Sequence, residues 1–192
     1  MPTLNSLLEQ TAALHNHLCP RQVLGVRMGM HAADAFGLDL PQGDKRLFAF
    51  VETDGCFADG VSVATGCWLG RRTLRLVDYG KVASTFVDTH TGQAIRISPN
   101  PLARSHACRY APDAPDPWHA QLIAYQLMPT SELLSVQQVT LTLSMQAIIS
   151  QPGLRATCAC CGEEVMNERE VHVEGRLLCR RCAGQESYYE HT

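Results

Sequence analysis

Two groups of residues in this chain have the types and spacing to bind a metal. The plainer one is "TCACCGEEVMNEREVHVEGRLLCRRCAGQ", in which Cys158-x-x-Cys161 and Cys179-x-x-Cys182 are separated by seventeen residues. Zinc prefers four thiolates in a tetrahedron, and each C-x-x-C turn offers two sulfurs from one side. Gly162, directly after the first pair, permits the left-handed backbone that such a turn needs. Four protein ligands leave no open coordination position, so this site is expected to be structural. A segment of about forty residues cannot bury enough apolar surface to fold alone, so the metal would supply much of its stability. Cys160 is adjacent to Cys161, poorly shaped for a shared chelate, and is read as a bystander.

The second group opens in "HNHLCPRQVLGVRMG", where His15, His17 and Cys19 fall within five residues. On a helix, residues two apart point in different directions, whereas in an extended segment they share a face. Pro20 disfavours helical geometry at Cys19, so His17 and Cys19 are well placed to act as a pair. Further on, "VETDGCFADG" puts Cys56 after a strand and at the start of a helix, where the helix N-terminus favours a thiolate. Imidazole and thiolate together suit zinc or another borderline-soft metal. The expected ligand set is His17, Cys19 and Cys56, with an open position for water or substrate that allows Lewis-acid or hydroxide chemistry. His15 is a candidate fourth ligand or proton carrier, and Asp54 a candidate for orienting a ligand. The bland alternative is ordinary packing of a histidine pair beside a cysteine. Cys67 lies eleven residues past Cys56, about 16 Å along a helix at 1.5 Å per residue, too far for a co-ligand. Cys67 and Cys108 are read as core residues, and Trp68 and Trp118 as buried anchors.

These residues need a scaffold, and the hydrophobic periodicity supplies one. "TLNSLLEQTAALHNHLC" reads as a helix capped by Thr3 or Asn5, and a second helix runs from Pro20 to a stop at Gly37. "DKRLFAFVE" reads as a strand, "CFADGVSVATGCWLG" as a third helix with small residues at close intervals, and "TLRLVDYG" as a strand. "ASTFVDTHTGQAIRIS" reads as a hairpin turning at Thr91-Gly92. The proline-rich stretch 106–117 is expected to be a loop, followed by a helix over 118–128 and a final strand in "SVQQVTLTLS". In the tail, Glu174-Gly175 marks a short hairpin, and Cys179 to Cys182 opens a terminal helix. Early helices, later antiparallel strands and no repeated βαβ period predict an α+β core over 1–152, mostly an antiparallel sheet packed with helices, and a small treble-clef zinc finger over 153–192.

Composition limits the function classes. The 192 residues are 45% apolar and 18% charged, within the globular range. A net charge of −3 offers no basic field for nucleic acid or an anionic membrane, and the glutamates of the tail offset its arginines. "MPTLNSLLEQTA" has neither the cationic start nor the apolar run of an export signal, so a soluble cytoplasmic protein is expected. Nine cysteines in that compartment argue for metal ligands or reduced core thiols over disulfides.

Three motifs in order, "HNHLCP", "VETDGCFADGVSVATGC" and "LRLVDYGKVASTF", resemble the formylmethanofuran dehydrogenase E-subunit family, and the tail resembles the auxiliary finger of many members. The resemblance implies an α+β core with a pocket of cysteine and histidine that binds zinc or another transition metal. It also implies a homodimer, and a molybdenum or tungsten oxidoreductase as partner. Carried over by motif, the H-x-H-x-x-C element falls on His15, His17 and Cys19. The acidic-x-cysteine element falls on Asp54 and Cys56, and the glycine-cysteine on Gly66 and Cys67. Asp78-Tyr79-Gly80-Lys81 matches a further stretch, which makes Lys81 a candidate neighbour of the metal ligands. Arg21 stands where the family usually has glycine, and Gly70-Arg71-Arg72 replaces a glycine-lysine-glycine stretch; side chains pointing inward there would favour a small anionic ligand. Three readings follow: a metal protein that binds a small ligand or cofactor for a redox system, a zinc-dependent enzyme, and a partner-docking module with structural metals.

Overall fold

The computed structural model describes residues 2–149, 153–185 and 187–190. The chain forms two compact units, Met1–Thr142 and Leu143–Thr192.

The first unit starts with α1 (Leu4–His15), whose Thr3 cap accepts the Ser6 N–H, and whose end is turned by Asn16 in the left-handed region. Cys19 is extended, as Pro20 requires of it, and α2 (Pro20–Phe36) then runs to a left-handed Gly37. β1 (Leu47–Val51) leads into α3 (Cys56–Thr65) and β2 (Leu74–Leu76). The hairpin of β3 (Ser84–Asp88) and β4 (Ala94–Pro99) follows, with Gly92 left-handed in its turn. The remaining elements are α4 (Ala103–Tyr110), α5 (Pro117–Leu127), the short α6 (Thr130–Leu133) and β5 (Leu134–Gln138). The strands form one sheet in the order β2-β1-β3-β4-β5, antiparallel throughout except for the parallel pair β1–β2. The α+β class is therefore as expected.

The register places Ala49 beside Phe86 and Phe86 beside Ile95. With Leu47, Val51 and Ile97 these side chains form the sheet face that packs against Val23, Val26, Phe57 and Val61 of the helices. Two bidentate ion pairs tie the strands at opposite ends of β1: Arg46 to Asp88 at 3.0 and 2.8 Å, and Arg96 to the buried Glu52 at 2.6 and 2.7 Å. Arg46 holds the Asp88 carboxyl down to about 2.

Two elements of this unit differ from expectation. α3 stops at Thr65, because Gly66 adopts φ 75° and caps it. Cys67 is therefore off the helix, buried, with its thiol donating to the Leu47 carbonyl at 3.3 Å. Part of the stretch expected as loop is α4, since Pro101 lies ahead of the helix and Pro112 beyond it. On that helix Cys108 is exposed, not core. Both tryptophans are also partly exposed, Trp68 at 36% and Trp118 at 44%.

The second unit holds α7 (Met145–Ile149) and two hairpins, β6 (Arg155–Thr157) with β7 (Glu164–Met166) and β8 (Val171–Val173) with β9 (Arg176–Leu178). Among the described residues, 180–184 form turns and not the terminal helix that a treble clef would have.

Candidate functional site

In the second unit each C-x-x-C pair sits on a tight turn. The Cys158 N–H donates to the Glu163 carbonyl and the Gly162 N–H to the Cys158 carbonyl, both at 2.9 Å, with Gly162 at φ 76°. The Cys182 N–H points at Cys179 Sγ at 3.4 Å, and the Ala159 N–H reaches Leu177 at 2.8 Å, which joins the two turns. The sulfurs of Cys158, Cys161, Cys179 and Cys182 all lie within 4.8 Å of one another. Zinc–sulfur bonds of about 2.3 Å put tetrahedral sulfurs roughly 3.8 Å apart, so the donor set and its spacing fit a four-thiolate metal. The N–H of Cys161, then that of Cys179, bring the Cys158 thiol down to about 6, toward the thiolate a metal needs. Cys160 is exposed beside them.

In the first unit, Cys19 caps α2 and Cys56 is the first residue of α3. Glycines bring these helices almost to backbone contact. A Cβ on Gly25 would stand 2.3 Å from the Phe57 carbonyl oxygen, and one on Gly60 2.4 Å from that of Gln22. The first turns consequently bring the Cys19 and Cys56 thiols near enough to influence each other's protonation. Gln22 is fully buried and fixes the approach: its side-chain carbonyl accepts the Cys19 N–H at 2.7 Å and its amide donates to the Thr11 carbonyl at 3.1 Å. Burial first, and the Cys19 thiol second, push the Cys56 thiol up, so the helix N-terminus does not decide its protonation.

The histidines are arranged differently from the expected set. His15, at the end of α1, bonds through Nε2 to Asp59 Oδ2 at 2.5 Å. His17 is exposed, and its Nδ1 donates to the His15 carbonyl at 2.9 Å. A carbonyl can only accept, so the neutral His17 ring carries its lone pair on Nε2, the form in which imidazole binds a metal. Among the described residues, the finger cysteines are the one group of three or more such residues with donor atoms all within 4.8 Å. Cys19 and Cys56 line one cleft, and the ligand atoms of His17, Cys19 and Cys56 do not all lie within 4.8 Å of one another. Asp54 is exposed and makes no hydrogen bond or ion pair among the described residues. Asp59, three residues after Cys56 and one helical turn on, is the carboxylate that meets His15. Lys81 is exposed; its N–H and that of Tyr79 donate to the Glu52 carbonyl, and its Nζ lies 5.8 Å from the Tyr79 ring.

The paired thiols open into a cleft of about 530 Å³ where four helices begin. Arg21 comes from α2, Cys56 from α3, Arg104 from α4 and Trp118 with Gln121 from α5. Helix N-termini present partial positive charge, so this mouth favours anions. α5 is held on α2 by Arg27, whose guanidinium donates to the Tyr125 and Met128 carbonyls at 2.8 Å and so caps the end of α5. Of the two cationic replacements noted in the sequence, only Arg21 lines this cleft; Arg71 donates instead to the Gly43 carbonyl at 3.2 Å. Sequence reasoning missed Asp59 and Arg104. The spacing Cys56-x-x-Asp59 could have revealed the first, since residues three apart share a helix face. Arg104 had no local signal.

The family model FmdE, described as molybdenum formylmethanofuran dehydrogenase operon, matches residues 14–138, the segment that carries the cleft. The chain belongs to this family. A tungsten formylmethanofuran dehydrogenase E-subunit (FmdE)-like protein from Syntrophus aciditrophicus has the same fold, with a TM-score of 0.62 at 20% identity over 98% of this chain and 96% of that one. A probable S-adenosyl-L-methionine-binding protein of Archaeoglobus fulgidus is 37% identical over 100 residues, which is 50% of this chain. The chain spans 27% of that relative's length. Among the described residues, no helix is long and apolar enough to cross a membrane.

Proposed function

We propose that this FmdE-family chain is a two-site zinc protein that serves a molybdenum or tungsten oxidoreductase system. Its tail carries a closed structural site on Cys158, Cys161, Cys179 and Cys182. Its cleft carries an open site on Cys19 and Cys56, completed by His17 through Nε2, with His15 as the alternative ligand. The observation that carries this reading is the meeting of the Cys19 and Cys56 thiols at two helix starts, at the floor of an accessible cleft. Two soft donors on rigid elements fit a borderline-soft metal, and the cleft leaves room for a further ligand. The ligand atoms of His17, Cys19 and Cys56 do not all lie within 4.8 Å of one another, so metal binding on this reading draws them closer together. When bound, the metal supplies Lewis acidity, while Asp59 orients His15 and Gln22 pins the backbone at Cys19. The family's link to a formylmethanofuran dehydrogenase operon supports the partner. The open cleft also supports a second reading, a zinc-dependent enzyme acting on a molecule bound there.

Metal analysis of purified protein tests the first reading. The wild type is expected to hold two zinc ions per chain, Cys158→Ala one and Cys56→Ala one. A Cys56→Ala protein that still holds two would rule out the open site.

A further inference from the structure

The cleft at Cys19 and Cys56 continues into a second hollow of about 460 Å³, and the two share Pro20, Arg21, Arg104 and Gln121 in their walls. The second hollow adds Lys81 and Asn100. Along the whole groove the charged lining residues are Arg21, Arg104 and Lys81, and no aspartate or glutamate lines either part. That bias stands out on a chain whose net charge is −3. Neither Arg21 nor Arg104 has a hydrogen-bond or ion-pair partner among the described residues. Two carboxylates on flanking elements are already engaged by histidines, Asp59 by His15 at 2.5 Å and Asp116 by His119 at 2.8 Å. Forked guanidiniums without partners, side-chain amides beside them and helix N-termini behind them are the parts of an oxyanion grip.

We infer that this groove binds a small polyanion, a molecule with two or more carboxylate or phosphate groups, held by Arg21 and Arg104 with its leading end toward the Cys19–Cys56 thiols. The reading rests on the cleft being the ligand site proposed above, and it makes the ligand class specific. Lys81 takes a distal anionic group, and Asn100 and Gln121 donate to oxygens between the cations, Gln121 through the amide hydrogen that its bond to the Pro117 carbonyl leaves free. Trp118, half-exposed at the mouth, offers a face for whatever apolar body joins the anionic groups.

Isothermal titration calorimetry with tricarballylate and fructose 1,6-bisphosphate tests the inference and separates carboxylate from phosphate chemistry. At least one is expected to bind the wild type at one site per chain, more weakly as salt rises. Arg21→Gln and Arg104→Gln should each weaken binding about tenfold, and the double variant should abolish it. Both side chains are exposed, so thermal unfolding of the variants should match the wild type. Binding of neither probe, or undiminished binding by the double variant, overturns the inference. Zinc measured in the same samples keeps the two proposals apart. Arginine-dependent binding in protein lacking cleft zinc would sink the metal reading and leave the anion site standing. Binding lost in Cys56→Ser with both arginines intact would assign the anion to the metal and overturn the arginine grip.

Discussion

At the scale of single residues, protonation is decided by which neighbour is nearest and how much water remains. Cys158 and Cys56 both sit where backbone N–H groups favour a thiolate, yet they shift in opposite directions. Cys158 receives those N–H groups directly, whereas Cys56 loses water and faces a second thiol. The Asp88–Arg46 pair gives the clearest pH consequence. The Asp88 carboxyl lies at about 2 in the folded chain, below its ordinary value of 3.8. Its contribution is therefore fully present above the unfolded value and disappears as pH falls through the folded one, between about 4 and 2. A depression of this size corresponds to about 2 kcal/mol. Asp88→Asn is expected to cost roughly that at neutral pH and to flatten this part of the acid-unfolding curve, as measured by urea denaturation at a series of pH values. An unchanged midpoint at pH 7 would show that the ion pair contributes nothing net.

At the scale of elements, the α2–α3 contact decides whether the cleft has two thiols or two separate cysteines. Gly25 and Gly60 face carbonyl oxygens at distances no Cβ tolerates, so the helices would have to part to accept a methyl group. Gly60→Ala is expected to cost about 1–3 kcal/mol through overpacking. It should also separate Cys19 from Cys56, read as loss of the disulfide that mild oxidation is expected to form between them in the metal-free wild type. Much of this scaffold could be read from local chemistry: Pro20 and Gly37 bound α2, and Gly92 turns the hairpin. Proline density hid α4, because Pro112 and Pro115 mark the loop after that helix as strongly as they suggest one across it. The paired thiols were legible, since each stands at a helix start that the sequence marks. Arg104 was not, since only the packing of α4 on α5, and of α5 on α2, brings it to Cys19 and Arg21.

At the scale of the whole molecule, the two units draw on different sources of stability. The first has a continuous apolar core of sheet and helices. The second exposes most of its side chains, with Cys158 and Leu178 its buried apolar residues among those described. Its order must come largely from the four sulfurs and the ion they fit. Chelation is therefore expected to unfold the second unit, whereas the first, held by its own core, stays folded and loses only the stability that cleft zinc adds, which differential scanning calorimetry resolves as two transitions. A single transition that moves as one on chelation would contradict this independence.

The lone parallel pair in the sheet, β1 beside β2, has a consequence for how such a protein can diversify. A chain that leaves one strand and returns parallel to it must cross over, and the linker at the strand's outgoing end is where α/β architectures place their variable chemistry. Here that linker is 52–55, moored where Tyr79 and Lys81 grip the Glu52 carbonyl. Insertions or exchanges between that mooring and Cys56 can re-aim a sulfur without altering one rung of the ladder. Relatives with new specificities should differ there first, on an otherwise unaltered frame.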